Sequence, residues 1–188
     1  MTVSTIKMTA EQFLQLGEDP PGVRLELVDG EIAVSPSPIP KHSITDKRLS
    51  HILMTHILEN ELGELLGDVD TIFGPYDVRR PDIIYFTNEN LKRIGDKALQ
   101  SPPDLCVEIL SPSSIKIDRK DKFEQYEAAK VPNYWTVDPE ECTAEAFVLR
   151  KGKYVPAGEG KNGDVVSFPP FPDLKIPLKQ IWFRPAKK

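Results

Sequence analysis

The run Leu105-Cys106-Val107-Glu108-Ile109-Leu110 constrains this chain more than any other segment. Its near-continuous apolar character is that of a central strand covered on both faces. Glu108 lies inside it, and a carboxylate is costly to bury without a partner. A second segment, Arg80-Pro81-Asp82-Ile83-Ile84-Tyr85-Phe86, sets Asp82 beside another apolar run. Two acids so placed suggest a shared cation. A hard cation such as Mg²⁺ takes oxygen ligands and would accept both carboxylates, with a backbone carbonyl and water. Blander readings stand beside this one. Asp82 follows a proline and can close a turn. Glu108 can pair with Arg79 or Arg80, or face solvent at a sheet edge.

The rest of the chain reads as alternating elements. Thr9 caps a short helix, with Gln12 at the reciprocal capping-box position. Val23 to Leu27 and Glu31 to Val34 alternate around Asp29-Gly30, a hairpin signal. Ser35 to Pro40 is a Pro-rich loop. His42 to Leu62 carries Ile44, Leu49, Ile52, Leu53, Ile57 and Leu62 near the helical period. Strands are predicted over Asp68 to Phe73 and over Asp77 to Phe86, with a short helix or loop at Asn88 to Ile94. A helix bearing Lys122 follows Ser111-Pro112 and ends at Val131-Pro132. Tyr134 to Val137 reads as another central strand, then Ala144 to Leu149 with Tyr154-Val155 as an outer hairpin. This order predicts one domain over 1–188, an α/β fold whose mixed central sheet carries helices on both faces and an N-terminal hairpin.

Several pieces, in order and spacing, resemble one family. They are Arg24-Leu-Glu-Leu-Val-Asp-Gly-Glu31, Arg79-Arg-Pro-Asp-Ile83, Val107-Glu-Ile-Leu-Ser-Pro-Ser113, Asp118 with Lys122 and Tyr126, and Val131-Pro-Asn-Tyr-Trp-Thr-Val-Asp138. Together they resemble a restriction-endonuclease-like family of the PD-(D/E)XK phosphodiesterase superfamily. The resemblance implies a metal-dependent nuclease that hydrolyses phosphodiester bonds of nucleic acid, DNA first. It makes Asp82 and Glu108 the paired acids and Glu26 an added acid from the N-terminal element. Asp82, Glu108 and the Ile109 carbonyl would hold Mg²⁺ or Mn²⁺. The superfamily's lysine stands two residues after the second acid, on the same strand face. Here that position is Leu110, so the resemblance assigns the role to Lys122 on the following helix. A surface pair with Asp118 is the competing reading for Lys122, and for Glu26 it is a solvated strand face. Leu110 favours the alternative function, a degenerate nuclease fold that binds nucleic acid or protein without cutting. His42, after the Pro-rich loop, is a candidate to approach a phosphate or water.

A net charge of −5 argues against a general nucleic-acid coat, although a local basic strip is compatible with it. No apolar run approaches the ~18 residues of a membrane helix. The N-terminus carries no signal-peptide pattern. Cys106 and Cys142 make neither a disulfide framework nor a zinc spacing. A cytoplasmic location is the default expectation. A symmetric homodimer is expected from the fold type, with Phe171 and Trp182 read as exposed aromatics.

Overall fold

A computed structural model describes residues 7–36, 38–112 and 117–184, with the side chains of 35, 36, 117 and 118 outside the description. Thr9 closes a capping box with Gln12 and starts α1, Ala10–Leu14. The hairpin follows as β1, Val23–Val28, and β2, Glu31–Pro36. Its two-residue turn has Asp29 at φ 50° and Gly30 at φ 79°, the doubly positive pair a type I′ turn requires. The helix α2 runs Pro40–Glu59 and is followed by β3, Gly63–Leu66. Then come β4, Thr71–Gly74, β5, Asp77–Arg79, and β6, Ile83–Thr87. The strand β7 is Leu105–Ile109. A π-type turn over Ile117–Lys122 tightens into α3, Phe123–Ala128. The chain continues as β8, Asn133–Asp138, β9, Thr143–Arg150, and β10, Lys153–Lys161. It ends on the short pair β11, Val165–Val166, and β12, Ile176–Pro177.

A six-stranded mixed sheet is ordered β10-β9-β8-β7-β6-β3. Only β7 and β8 pair in parallel, with α3 in the crossover between them. The hairpin belongs to a second, four-stranded sheet ordered β2-β1-β5-β4. One face of the large sheet packs Leu105, Val107, Ile109 and Trp135 on Leu49, Leu53 and Ile57 of α2. The other packs Cys106 and Tyr134 against Tyr126 of α3. The fold is thus mixed α/β with a central mixed sheet and few helices.

Several boundaries differ from expectation for physical reasons. The predicted strand Asp77 to Phe86 is two strands in two sheets. Pro81 has no N–H for a ladder, and the Arg80 N–H is spent on Glu26. Arg80-Pro81-Asp82 is therefore the corner between the sheets. The long helix stops at Glu59, and Glu61 turns left-handed at φ 50°. Leu65 and Leu66, which continue the helical spacing, instead belong to β3. The expected exposure of Phe171 and Trp182 is wrong: they are 2% and 6% exposed. Phe171 stacks edge-on against Tyr85, and Trp182 donates to the Asn162 carbonyl at 2.7 Å. Both rings close the core under the C-terminal segment and offer no dimer surface.

Candidate functional site

Asp82 sits at the corner between the two sheets. In the β6–β7 pairing Ile83 faces Val107, and continuing that register by one pair sets Asp82 opposite Glu108. Opposed residues of an antiparallel pair share a face. Asp82 Oδ2 accepts the Ile109 N–H at 2.7 Å and a hydrogen bond from His42 Nε2 at 3.1 Å. Its other oxygen, Oδ1, lies 3.9 Å from the Arg24 guanidinium, which is itself held by Asp68 at 2.6 Å. Burial pushes the Asp82 carboxyl up. The hydrogen bond and charge of His42, the charge of Lys122 and the Ile109 N–H outweigh it, so Asp82 lies below the ordinary carboxylate value. His42 moves the opposite way: burial lowers it, but the contact with Asp82 and the charges of Asp82 and Asp46 leave it raised.

Glu108 is 2% exposed in β7. Lys122 Nζ donates to Oε2 at 2.7 Å, and the Tyr126 hydroxyl donates to Oε1 at 2.6 Å. Burial and the charge of Glu108 push the Tyr126 phenol well above its ordinary value, so it remains a neutral donor. Lys122, Gln125 and Tyr126 are i, i+3 and i+4, hence on one side of the helix. Gln125 extends that side to the small sheet, accepting from Arg79 Nε at 2.7 Å and donating to Asp77 at 2.6 Å. The surface pair expected for Lys122 with Asp118 involves a side chain outside the described residues. Lys122 itself is buried beside Glu108 and is no solvated lysine.

Glu26 is 3% exposed rather than solvated. Its Oε2 accepts from Arg79 at 2.9 Å and its Oε1 from the Arg80 N–H at 3.0 Å. Burial raises its carboxyl, but the charges of Lys122 and Arg79 and the Arg80 N–H bring it below its ordinary value. Lys122 therefore acts electrostatically on both Glu26 and Asp82. Arg79 is paired with Glu26, Arg80 is engaged by Asp70 and Asp19, and Glu108 is paired with Lys122.

A cleft of about 310 Å³ opens beside Asp82, lined by Arg24, His42, Ser43, Lys47 and Asp68 among others. A larger groove of about 550 Å³ lies on the outer hairpin, bordered by Glu141, Glu145, Glu159 and Arg119. It lacks a buried acid like Glu108, and its pair Arg119–Glu145 is roughly a third exposed or more. Of the candidate residues, Asp82 and His42 line the smaller cleft, whereas Glu108, Lys122 and Glu26 are not among the residues that line it. Arg24 and Tyr126 carry more of this arrangement than the sequence signalled. Arg24 shares a strand face with Glu26, and Tyr126 stands four residues after Lys122, which were the available signs.

The mixed sheet with its corner acids is consistent with the restriction-endonuclease-like fold of the PD-(D/E)XK superfamily. The chain belongs to the Uma2 family, described as "Putative restriction endonuclease", whose profile matches residues 10–179. It is also similar to the crystal structure of a "putative nuclease belonging to DUF820" from Anabaena variabilis ATCC 29413. That likeness has a TM-score of 0.76 at 21% identity, covering 93% of this chain and 97% of the other. At this identity the likeness is one of fold. No protein with a curated description matches.

Proposed function

We propose that this chain is a metal-dependent phosphodiesterase acting on nucleic acid, with Asp82 and Glu108 as metal-holding acids. One observation carries the reading: the register of β6 on β7, continued by one residue, sets Asp82 opposite Glu108, and a buried lysine from the next helix reaches Glu108 at 2.7 Å. Their number suits the ion. Mg²⁺ ordinarily keeps several waters and takes one or two carboxylates plus substrate phosphate oxygens. No group of three or more His, Cys, Asp or Glu side chains is gathered for a metal among the described residues. A closed all-protein cage is therefore not the arrangement. Asp82 Oδ2 takes two donors, so Oδ1 is the oxygen it would offer a metal, and the Ile109 carbonyl would complete the set.

When bound, Mg²⁺ or Mn²⁺ polarises a phosphoryl oxygen and lowers the pKa of a coordinated water. The chain's own groups supply the rest. Tyr126 holds Glu108 by one oxygen. Lys122, to which the resemblance gives the role of the superfamily's strand lysine, would donate to charge developing on the phosphoryl oxygens. Glu26 holds Arg79 and the Arg80 backbone, and so fixes the corner that presents Asp82. Water oxygen would bond to phosphorus as one of its protons passes to solvent, the P–O ester bond would break, and the leaving oxygen would take a proton from solvent.

A second reading is favoured by Leu110, 1% exposed where the superfamily has its lysine. On that reading the fold binds nucleic acid without cutting it. Cleavage of plasmid DNA and of a generic RNA separates the two, with Mg²⁺ or Mn²⁺ against chelator. Metal-dependent cleavage that Asp82→Asn abolishes is expected. Absence of cleavage by folded protein in either metal overturns the enzymatic reading. The homodimer is retained as part of the proposal, and a light-scattering mass near the 21.2 kDa monomer would remove it.

A further inference from the structure

We propose that His42 is the positioning residue that fixes which oxygen of Asp82 is left for the metal. The inference rests on the metal-site reading above and deepens it. Ile109 N–H and His42 Nε2 converge on the same oxygen, Oδ2, from different elements, β7 and α2. That leaves Oδ1 on the side of Arg24 and the cleft. An aspartate's terminal torsion is broad, so one backbone donor does not set the carboxylate plane. A second donor from another direction does.

His42 is built for this. It stands in the first turn of the 20-residue α2, just before Thr45, which is fully buried, and Leu49. Its side chain is 12% exposed. Its other ring nitrogen, Nδ1, is buried and makes no hydrogen bond among the described residues. Among the described residues, the contact with Asp82 is the hydrogen bond that holds the ring. Partners that orient metal ligands in this way typically carry about 10–100-fold in metal affinity.

The test is calorimetric titration of the full chain with Mn²⁺, for wild type, His42→Leu, His42→Gln and Asp82→Asn, each checked by its melting curve. Glutamine sets an amide N–H near the place of Nε2, whereas leucine keeps only bulk. The expected result is loss of binding in Asp82→Asn, about 10–100-fold weaker binding in His42→Leu, and recovery of most of that loss in His42→Gln. Wild-type affinity in His42→Leu, with Asp82→Asn still silent, overturns the role of His42 and leaves the metal site standing. Equal loss in the leucine and glutamine variants, both folded, overturns positioning in favour of the imidazole itself being required. Wild type that binds no Mn²⁺, or Asp82→Asn that binds it equally, overturns the metal reading and this inference with it.

Discussion

Replacing Lys122 by methionine removes a charge with little change of volume, which makes the consequence calculable. The Lys122 side chain is 10% exposed and that of Glu108 2%, with 2.7 Å between their charged atoms. Deleting one member of a buried ion pair leaves an uncompensated charge and costs about 3–5 kcal/mol. For a chain of this size each kcal/mol lowers Tm by about 2–4 °C, so Lys122→Met should melt about 6–20 °C below wild type. The Tyr126 hydroxyl still donates to Glu108. Adding Glu108→Leu removes that carboxylate and should recover part of the loss. Recovery stops short because the buried Tyr126 hydroxyl then lacks its acceptor, at about 1–3 kcal/mol. Lys120 is exposed, and Lys120→Ala should cost less than about 0.5 kcal/mol. Urea denaturation of the four proteins with unchanged m values is the assay. A Lys122→Met cost below about 1 kcal/mol, the range of an exposed pair, refutes the buried pairing and restores a surface lysine.

Two further perturbations probe the Asp82 corner. The pairing of His42 with Asp82 is at full strength between the ordinary values of its members. His42, raised in the fold, contributes fully below 6.5 and loses its contribution as pH rises through the raised value; Asp82, lowered, contributes fully above 3.8 and loses it as pH falls. In chelator, His42→Leu should therefore cost more stability at about pH 5 than at about pH 9, and equal costs in urea titrations would deny an ionic contact. Gly67→Ala attacks the same corner from β3's end: an added Cβ would lie 2.4 Å from the Asp82 carbonyl oxygen. Small misplacements of reacting groups cost about 10²-fold, so cleavage should fall by that order. Gly152→Ala, whose Cβ meets nothing within 4 Å, should leave cleavage alone, and equal effects would disconnect Gly67 from the site.

The parts of the fold that were legible in the sequence are those with local causes. Asp29-Gly30 needs two positive φ values and so announces its hairpin. Leu105–Leu110 can only be covered on both sides, and Thr9 with Gln12 caps through adjacent atoms. What escaped has non-local causes. Leu65 and Leu66 continue the α2 spacing, and only pairing with β6 makes them strand. Arg79 and Arg80 are neighbours in the chain yet serve different acids, Glu26 on one side and Asp70 with Asp19 on the other. Pro81-Asp82 and Pro103-Asp104 read alike, but Asp104 is spent holding Thr87 and Asn90. The aromatic rings in the Pro-rich end found acceptors and core contacts from distant loops. At the site, His42 stands forty residues from Asp82, a separation no local pattern reports.

We propose that Asp82 and Glu108 together hold a divalent cation at the corner between the sheets. The most direct test is an anomalous-scattering map from crystals grown with Mn²⁺, using wild type and Asp82→Asn. The expected result is a manganese peak between the Asp82 and Glu108 carboxylates, on the cleft side facing Arg24, and its loss in Asp82→Asn. A map of well-ordered protein with manganese bound elsewhere, and Lys122 still closed on Glu108, would contradict it.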